Sequence, residues 1–439
     1  MAFTPPEYGM AELDPQTQRA FAVEVVEKLR AAGFEALWAG GCVRDQLLGR
    51  TPKDYDVATS ARPEQIRELF GKRNTLAIGA AFGVISVLGR PRSAGQIEVA
   101  TFREDAAYSD GRRPDAVTFS TAEADATRRD FTVNGLFFDP IEGRVIDYVG
   151  GQEDLRKQVL RAIGNPADRI AEDKLRMLRA IRFAATFAFA LEPRTQAAIQ
   201  AMAGEVKIVS AERIAAELRL MLSHPSRARG VALLEESGLA AAILPEVSMA
   251  PAYVWQSTLQ QLELLEPFDL QSSGGLANHA ELRRSVSFPL AFATLLHAFV
   301  DAGAAAPICS RLKLSNKETE SIVWLLRNQN ALVDAATQPW PRLQRLLIHP
   351  GITELLAMHR ATHPTKTAEV AFCLEKLALP PAVLNPPPLI TGDDLRAIGI
   401  PPGPHYQQLL EAVRDAQLDE KLENTSEALR LASGLWRKS

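Results

Sequence analysis

Apolar positions along the first third of the chain change period several times, and the changes mark its elements. Phe21, Val25, Val26 and Leu29 recur at helical spacing, which predicts an amphipathic helix over residues 13–32. FEALWAGG reads as a strand ending at a glycine pair, and CVRDQLLG as a short helix with Gly49 past its end. YDVAT reads as a strand. RPEQIRELFG reads as a helix with Pro63 in its first turn and Gly71 at its close. TLAIG, GVISVLG, QIEVATFRE, FTVNGLFFDP and RVIDYV have the β-branched content of strands. Residues 12–152 therefore predict a mixed α/β head with about five strands. After Gly151 the period is helical almost throughout, with breaks at Pro166, Pro193, Pro225, Pro245 and Pro251. LPPAVLNPPPLITG, residues 379–392, reads as a linker before two last helices. The fold class expected is α+β, with a helical neck (153–235), body (236–380) and tail (381–439) behind the head.

Composition narrows the class. A chain of 439 residues, 46% hydrophobic and 23% charged, is long enough for several buried cores. The N-terminus lacks a basic start and an apolar run, so no secretory signal is expected. FPLAFATLLHAFV is too short to cross a bilayer and carries His297, which reads as a core or helix-face histidine. Cys42, Cys309 and Cys373 are far apart, which argues against a disulfide framework or a zinc site and for a reducing, cytoplasmic setting. Net charge is −4, but residues 156–229 hold 14 Lys and Arg against 7 Asp and Glu. A basic segment in an acidic chain is either a solvated helix face or a footprint for a polyanion.

KDYDVAT, residues 53–59, carries the first chemistry. Asp54 and Asp56 are two residues apart at the start of a strand, where side chains share a face and like charges repel. Either the pair is a solvated turn or a divalent cation lies between the two. Upstream, GGCVRD places a glycine pair and Arg44 between a strand and a helix, a shape that suits a triphosphate. A phosphate cradle beside two carboxylates is what metal-dependent nucleotidyl transfer requires. Glu98, on a later strand, is the candidate for a third carboxylate.

These stretches resemble the class II tRNA nucleotidyltransferase and bacterial poly(A) polymerase superfamily. TFREDAAYSDGRRPDAVTF is similar to its flexible loop, and RRDFTVNGLFFDP to its ribose-recognition motif. EDKLRMLRAIRFAATFAF is similar to its nucleobase-templating helix, and ERIAAELRLML to the helix that follows. The resemblance covers roughly residues 35–225 and implies a polymerase-beta-like head. It implies that Asp54 and Asp56 hold Mg²⁺ and carry catalysis. Gly41, Arg44 and Arg129 would meet the nucleotide phosphates, and Asp130 and Asn134 the ribose. Asp173, Arg176, Arg179 and Arg182 would line the base site, spaced three apart on one helix.

Physical chemistry gives the last group a prediction. An ionised Asp173 only accepts hydrogen bonds and Arg176 only donates. Cytosine and adenine each present an amino group beside a ring acceptor and match both. Uracil and guanine match neither, and such mismatches reject substrates by ~10⁴ or more.

The resemblance implies addition of C and A to the tRNA 3′ end from CTP and ATP, with no membrane and no obligate protein partner. The presence of YSDGRRPDAV favours A addition. The absence of a long basic tail, together with ITGDDLRAIGIPPGPHYQQLLEAV, favours CCA addition over a poly(A) polymerase. An A-adding enzyme stays open. No His-Asp dipeptide occurs, so no phosphohydrolase activity is expected.

Overall fold

Alternation of buried and open positions along short strands builds the head. The computed structural model describes residues 13–77, 79, 83–105, 117–248, 250–268 and 286–437. The strands are β1 (Ala36–Ala39), β2 (Asp56–Thr59), β3 (Thr75–Leu76), β4 (Val84–Leu88), β5 (Gln96–Thr101), β6 (Arg103–Asp105), β7 (Val117–Phe119), β8 (Phe137–Asp139) and β9 (Arg144–Ile146). Seven of them form one sheet in the order β3-β4-β5-β2-β1-β8-β9, and β6 pairs with β7 separately. About five strands were expected; the surplus is strands of two or three residues. FTVNGLFFDP is a strand only over Phe137–Asp139, because Thr132–Asn134 coils into a 3₁₀ turn. Gly135 follows that turn, where a Cβ would lie 2.7 Å from the Val149 side chain.

Helix α1 (Pro15–Ala31) buries Val25, Val26 and Leu29, as its period predicts, with Ala22 buried and Phe21 only partly so, and Asp14 caps it. Helix α2 (Gly41–Leu47) follows β1, α3 (Pro63–Phe70) follows β2, and α4 (Ala122–Thr127) follows β7. One sheet face packs Leu37, Ala39, Ala58, Phe102 and Phe137 against Ala122 and Ala126 of α4. β2 and β5 run parallel with Asp56 beside Glu98 and Val57 beside Val99. The two valines are fully buried, whereas the two acids stay exposed at the end of the strand pair.

Behind the head come α5 (Gly151–Lys157), α6 (Pro166–Glu172), α7 (Leu175–Phe187), α8 (Pro193–Met202) and α9 (Ala211–Leu222). A two-residue parallel pair, Val159–Leu160 with Ala190–Leu191, interrupts the helical region. By internal contacts the chain forms two units, one of Met1–Met221 with Arg229–Ser248, the other of Leu222–Ala228 with Met249–Ser439. The second unit is helical. His297 is partly buried there and its Nδ1 lies 2.8 Å from the Thr294 carbonyl. Near its end, Ile390, Leu395, Ile400, Leu409, Val413, Ala428 and Ala432 form a core of their own. No helix among the described residues is long and apolar enough to cross a membrane.

Candidate active site

The strand-to-helix turn after β1 is shaped by Gly40. Its φ of 71° and ψ of −121° suit glycine, and a Cβ there would meet Arg129 Nη1 at 2.7 Å. Sequence reasoning singled out Gly41, which has an ordinary backbone and opens α2. Asp54 precedes β2 rather than lying on it, and Asp56 is the strand's first residue. Tyr55, between them, is 3% exposed and packs on Trp38 at 4.8 Å. That anchor holds both carboxylates at the open end of the sheet.

Neither the Asp54 nor the Asp56 carboxylate takes a hydrogen bond or an ion pair from a described residue, whereas Asp125, Asp130, Asp139 and Asp154 each have several partners. Crowding by protein, then Glu98, pushes the Asp56 carboxyl up to about 6, Arg129 pulls it down, and Asp54 pushes it up again. More than a third of Asp56 remains accessible, so water screens part of this shift. Such a site favours a cation. Glu98 is next to Asp56 in register, yet among the described residues no group of three His, Cys, Asp or Glu side chains could hold a metal ion. Two carboxylates with no described cationic partner have the chemistry of ligands for a hard cation that takes its other ligands from phosphate oxygens and water.

Around the pair runs a continuous polar network. Arg129 donates to Asp125 Oδ2 through Nη2 (2.9 Å) and Nε (3.2 Å), and to the Asn134 carbonyl through Nη1 (3.3 Å). Asn134 Nδ2 donates to Asp130 Oδ1 (3.0 Å), and Arg179 donates to Asp130 Oδ2 (2.8 Å). Burial would raise the Asp130 carboxyl, but Arg179 and Asn134 hold it below the ordinary range. Arg44 turns inward: it is 8% exposed and donates to Asp45 (2.8 Å) and to Asn134 Oδ1 (2.6 Å). Its guanidinium lies 4.4 Å from the Phe187 ring centre. It sets the Asn134 amide rather than facing outward to a phosphate.

The expected base-site helix is broken. Asp173 has extended backbone at the end of α6, and α7 starts at Leu175. The cause is local: Asp173 Oδ1 accepts from the Leu175 N–H (3.0 Å), a cap that replaces helix continuity. Its Oδ2 accepts from Arg213 (2.7 Å). Arg176 is 9% exposed and donates through Nη1 to Glu172 (2.5 Å) and the Arg169 carbonyl (2.9 Å), and through Nη2 to the Arg128 carbonyl (3.3 Å). Nε–H and one Nη2 hydrogen are left over. Arg182 pairs with Glu217 (2.6 Å) and lies over Phe183, which stacks on Phe187.

Part of the basic segment is paired: Arg161, Arg169, Lys174, Arg176, Arg179, Arg182 and Arg213 all have acidic partners. Sequence reasoning missed Asp125, Arg213, Glu217, Phe183 and Phe187. The phenylalanines carried a signal, lying at i and i+4 on the face that bears the arginines. The flexible-loop stretch lies outside the described residues over 106–116.

This head and its site define a nucleotidyltransferase of the polymerase-head class. The Poly A polymerase head domain family matches residues 36–161, the RNA- and SrmB-binding site of polymerase A matches 188–250, and tRNA nucleotidyltransferase domain 2 matches 289–432. The CCA-adding enzyme of Geobacillus kaustophilus is 31% identical over 422 residues, 93% of this chain and 95% of that protein. The chain belongs to the CCA-adding enzyme family. The CCA-adding enzyme of Geobacillus stearothermophilus is 40% identical over 242 residues, a match spanning 58% of that relative, and several others match over about half their length. The crystal structure of Bacillus stearothermophilus CCA-adding enzyme in complex with CTP superposes with a TM-score of 0.75 at 27% identity, covering 96% of this chain and 98% of that one. Nucleotidyltransferases of this kind are metal-dependent.

Proposed function

We propose that this chain adds C and A to the 3′ end of tRNA from CTP and ATP, releasing pyrophosphate. The observation that carries the reading is the unneutralised Asp54–Asp56 pair beside Arg129 and the Gly40 turn. Asp54 and Asp56 hold Mg²⁺, which when bound neutralises the triphosphate and favours ionisation of the attacking 3′-hydroxyl. Arg129 faces the phosphates. Asp130 and Asn134, fixed by Arg179 and Arg44, present their remaining acceptor and donor groups to the ribose. Asp173 keeps unused acceptor capacity and Arg176 keeps two N–H groups, so the pair selects an amino group beside a ring acceptor. That edge belongs to cytosine and adenine.

The basic helices after residue 155 and the tail, residues 381–439, hold the tRNA backbone by shape and phosphate contacts, and the protein works in the cytoplasm. Support comes from the family membership and from the CTP complex of the Bacillus stearothermophilus relative. The test is incorporation of each labelled nucleotide into tRNA lacking its CCA end. Asp56→Ala should abolish incorporation while tRNA binding survives; near-normal activity in that variant would remove the metal assignment.

A further inference from the structure

Asp125 lies behind the site, on α4, and is 1% exposed. Its Oδ1 accepts from Arg128 Nε (2.9 Å) and Nη2 (2.6 Å) and from the Arg103 backbone N–H (3.4 Å). Its Oδ2 takes the Nε and Nη2 edge of Arg129. Burial alone would raise this carboxyl, yet the two guanidiniums hold it below the ordinary carboxylate range. Gripping that edge of Arg129 leaves Nη1 to project across Gly40. Arg128, held by the same carboxylate, offers its backbone carbonyl to Arg176. Arg103 opens β6, the strand that leads towards residue 106. One buried carboxylate therefore links the arginine of the phosphate side, the peptide that supports the base-side arginine, and the β6–β7 ribbon.

We propose that Asp125 is a positioning residue for the nucleotide: it touches no substrate and aims the Nη1 edge of Arg129 at the triphosphate. The inference rests on the nucleotidyltransferase reading above. A carboxylate that merely anchored α4 would affect every ligand of the site alike. One that aims Arg129 affects ligands in proportion to their phosphates.

Calorimetry of CTP and CMP binding to the full-length chain in Mg²⁺ separates these. Asp125→Asn should weaken CTP about tenfold, the scale of one lost charge-assisted contact, and leave CMP within about twofold. Combined with Arg129→Gln, it should bind CTP no more weakly than Arg129→Gln alone, because the two act through one contact. Equal losses for CTP and CMP, or additive losses in the double variant, would overturn the proposal. Should Asp125→Asn fail to fold, Arg129→Lys replaces it. Lysine keeps the charge but has no fork for Asp125 to orient. It should show the same selective loss, and wild-type CTP affinity in that variant would refute the aiming role. A wild-type protein with no preference for CTP over CMP would instead sink the functional reading, and this inference with it.

Discussion

Removing the Asp56 charge should stabilise the protein while ending the proposed nucleotide addition. The Asp56 carboxyl is pushed from 3.8 to about 6, a rise of about two pH units. At ~1.4 kcal/mol per unit the ionised carboxylate costs at most about 3 kcal/mol. Because more than a third of the residue is accessible, solvent screening reduces that to about 1 kcal/mol. The folded state holds this proton more tightly than the unfolded chain does, so the cost grows as pH rises from about 4 to about 6 and is complete above that. Asp56→Asn should therefore melt about 2–4 °C above wild type at pH 8 in EDTA, with the difference vanishing near pH 4. Adding Mg²⁺ should stabilise wild type by mass action and leave the variant nearly unchanged. Thermal melts across pH, with and without metal, read all three effects. A variant no more stable than wild type at pH 8 in EDTA would refute the idea that Asp56 is held in an unneutralised acidic site.

Three further outcomes follow from the geometry. Gly40→Ala should cost about 1–3 kcal/mol of stability and displace Arg129, seen as a lower melting temperature together with weaker CTP binding. Arg176→Ala should let UTP and GTP be incorporated in single-nucleotide assays; unchanged exclusion of both would remove Arg176 from base selection. Asn134→Ala should narrow the preference for CTP over dCTP, measured as a ratio of kcat/KM values, because it removes the amide held by Arg44 and frees the one Asp130 lone pair it occupies.

The parts of the site legible in the sequence were those with a local electrostatic signature. Asp54 and Asp56 stood out because two carboxylates one residue apart repel each other wherever they sit. The Asp56–Glu98 neighbourhood was less legible, since it depends on β2 and β5 pairing in parallel across forty residues. Residue spacing also misled at Asp173. An i, i+3 series reads as one helix, but a carboxylate that caps the Leu175 N–H ends one helix and starts another. The neck's positive charge looked available to a polyanion because its acidic partners, such as Asp130 and Asp173, are individually remote or few. Folding brings them to the arginines and pairs several of these charges. Gly40 and Gly41 are indistinguishable by composition, and only the positive φ that folding gives Gly40 decides which needs a glycine's backbone.

The central claim meets its most direct test in one incorporation experiment. Purified protein and Mg²⁺ are given tRNA ending before the first C, after one C and after CC, with CTP, ATP, UTP and GTP singly and CTP with ATP together. The account predicts two C additions followed by one A, then arrest, and no use of UTP or GTP. Long A tails on any RNA, or no incorporation at all, would contradict it.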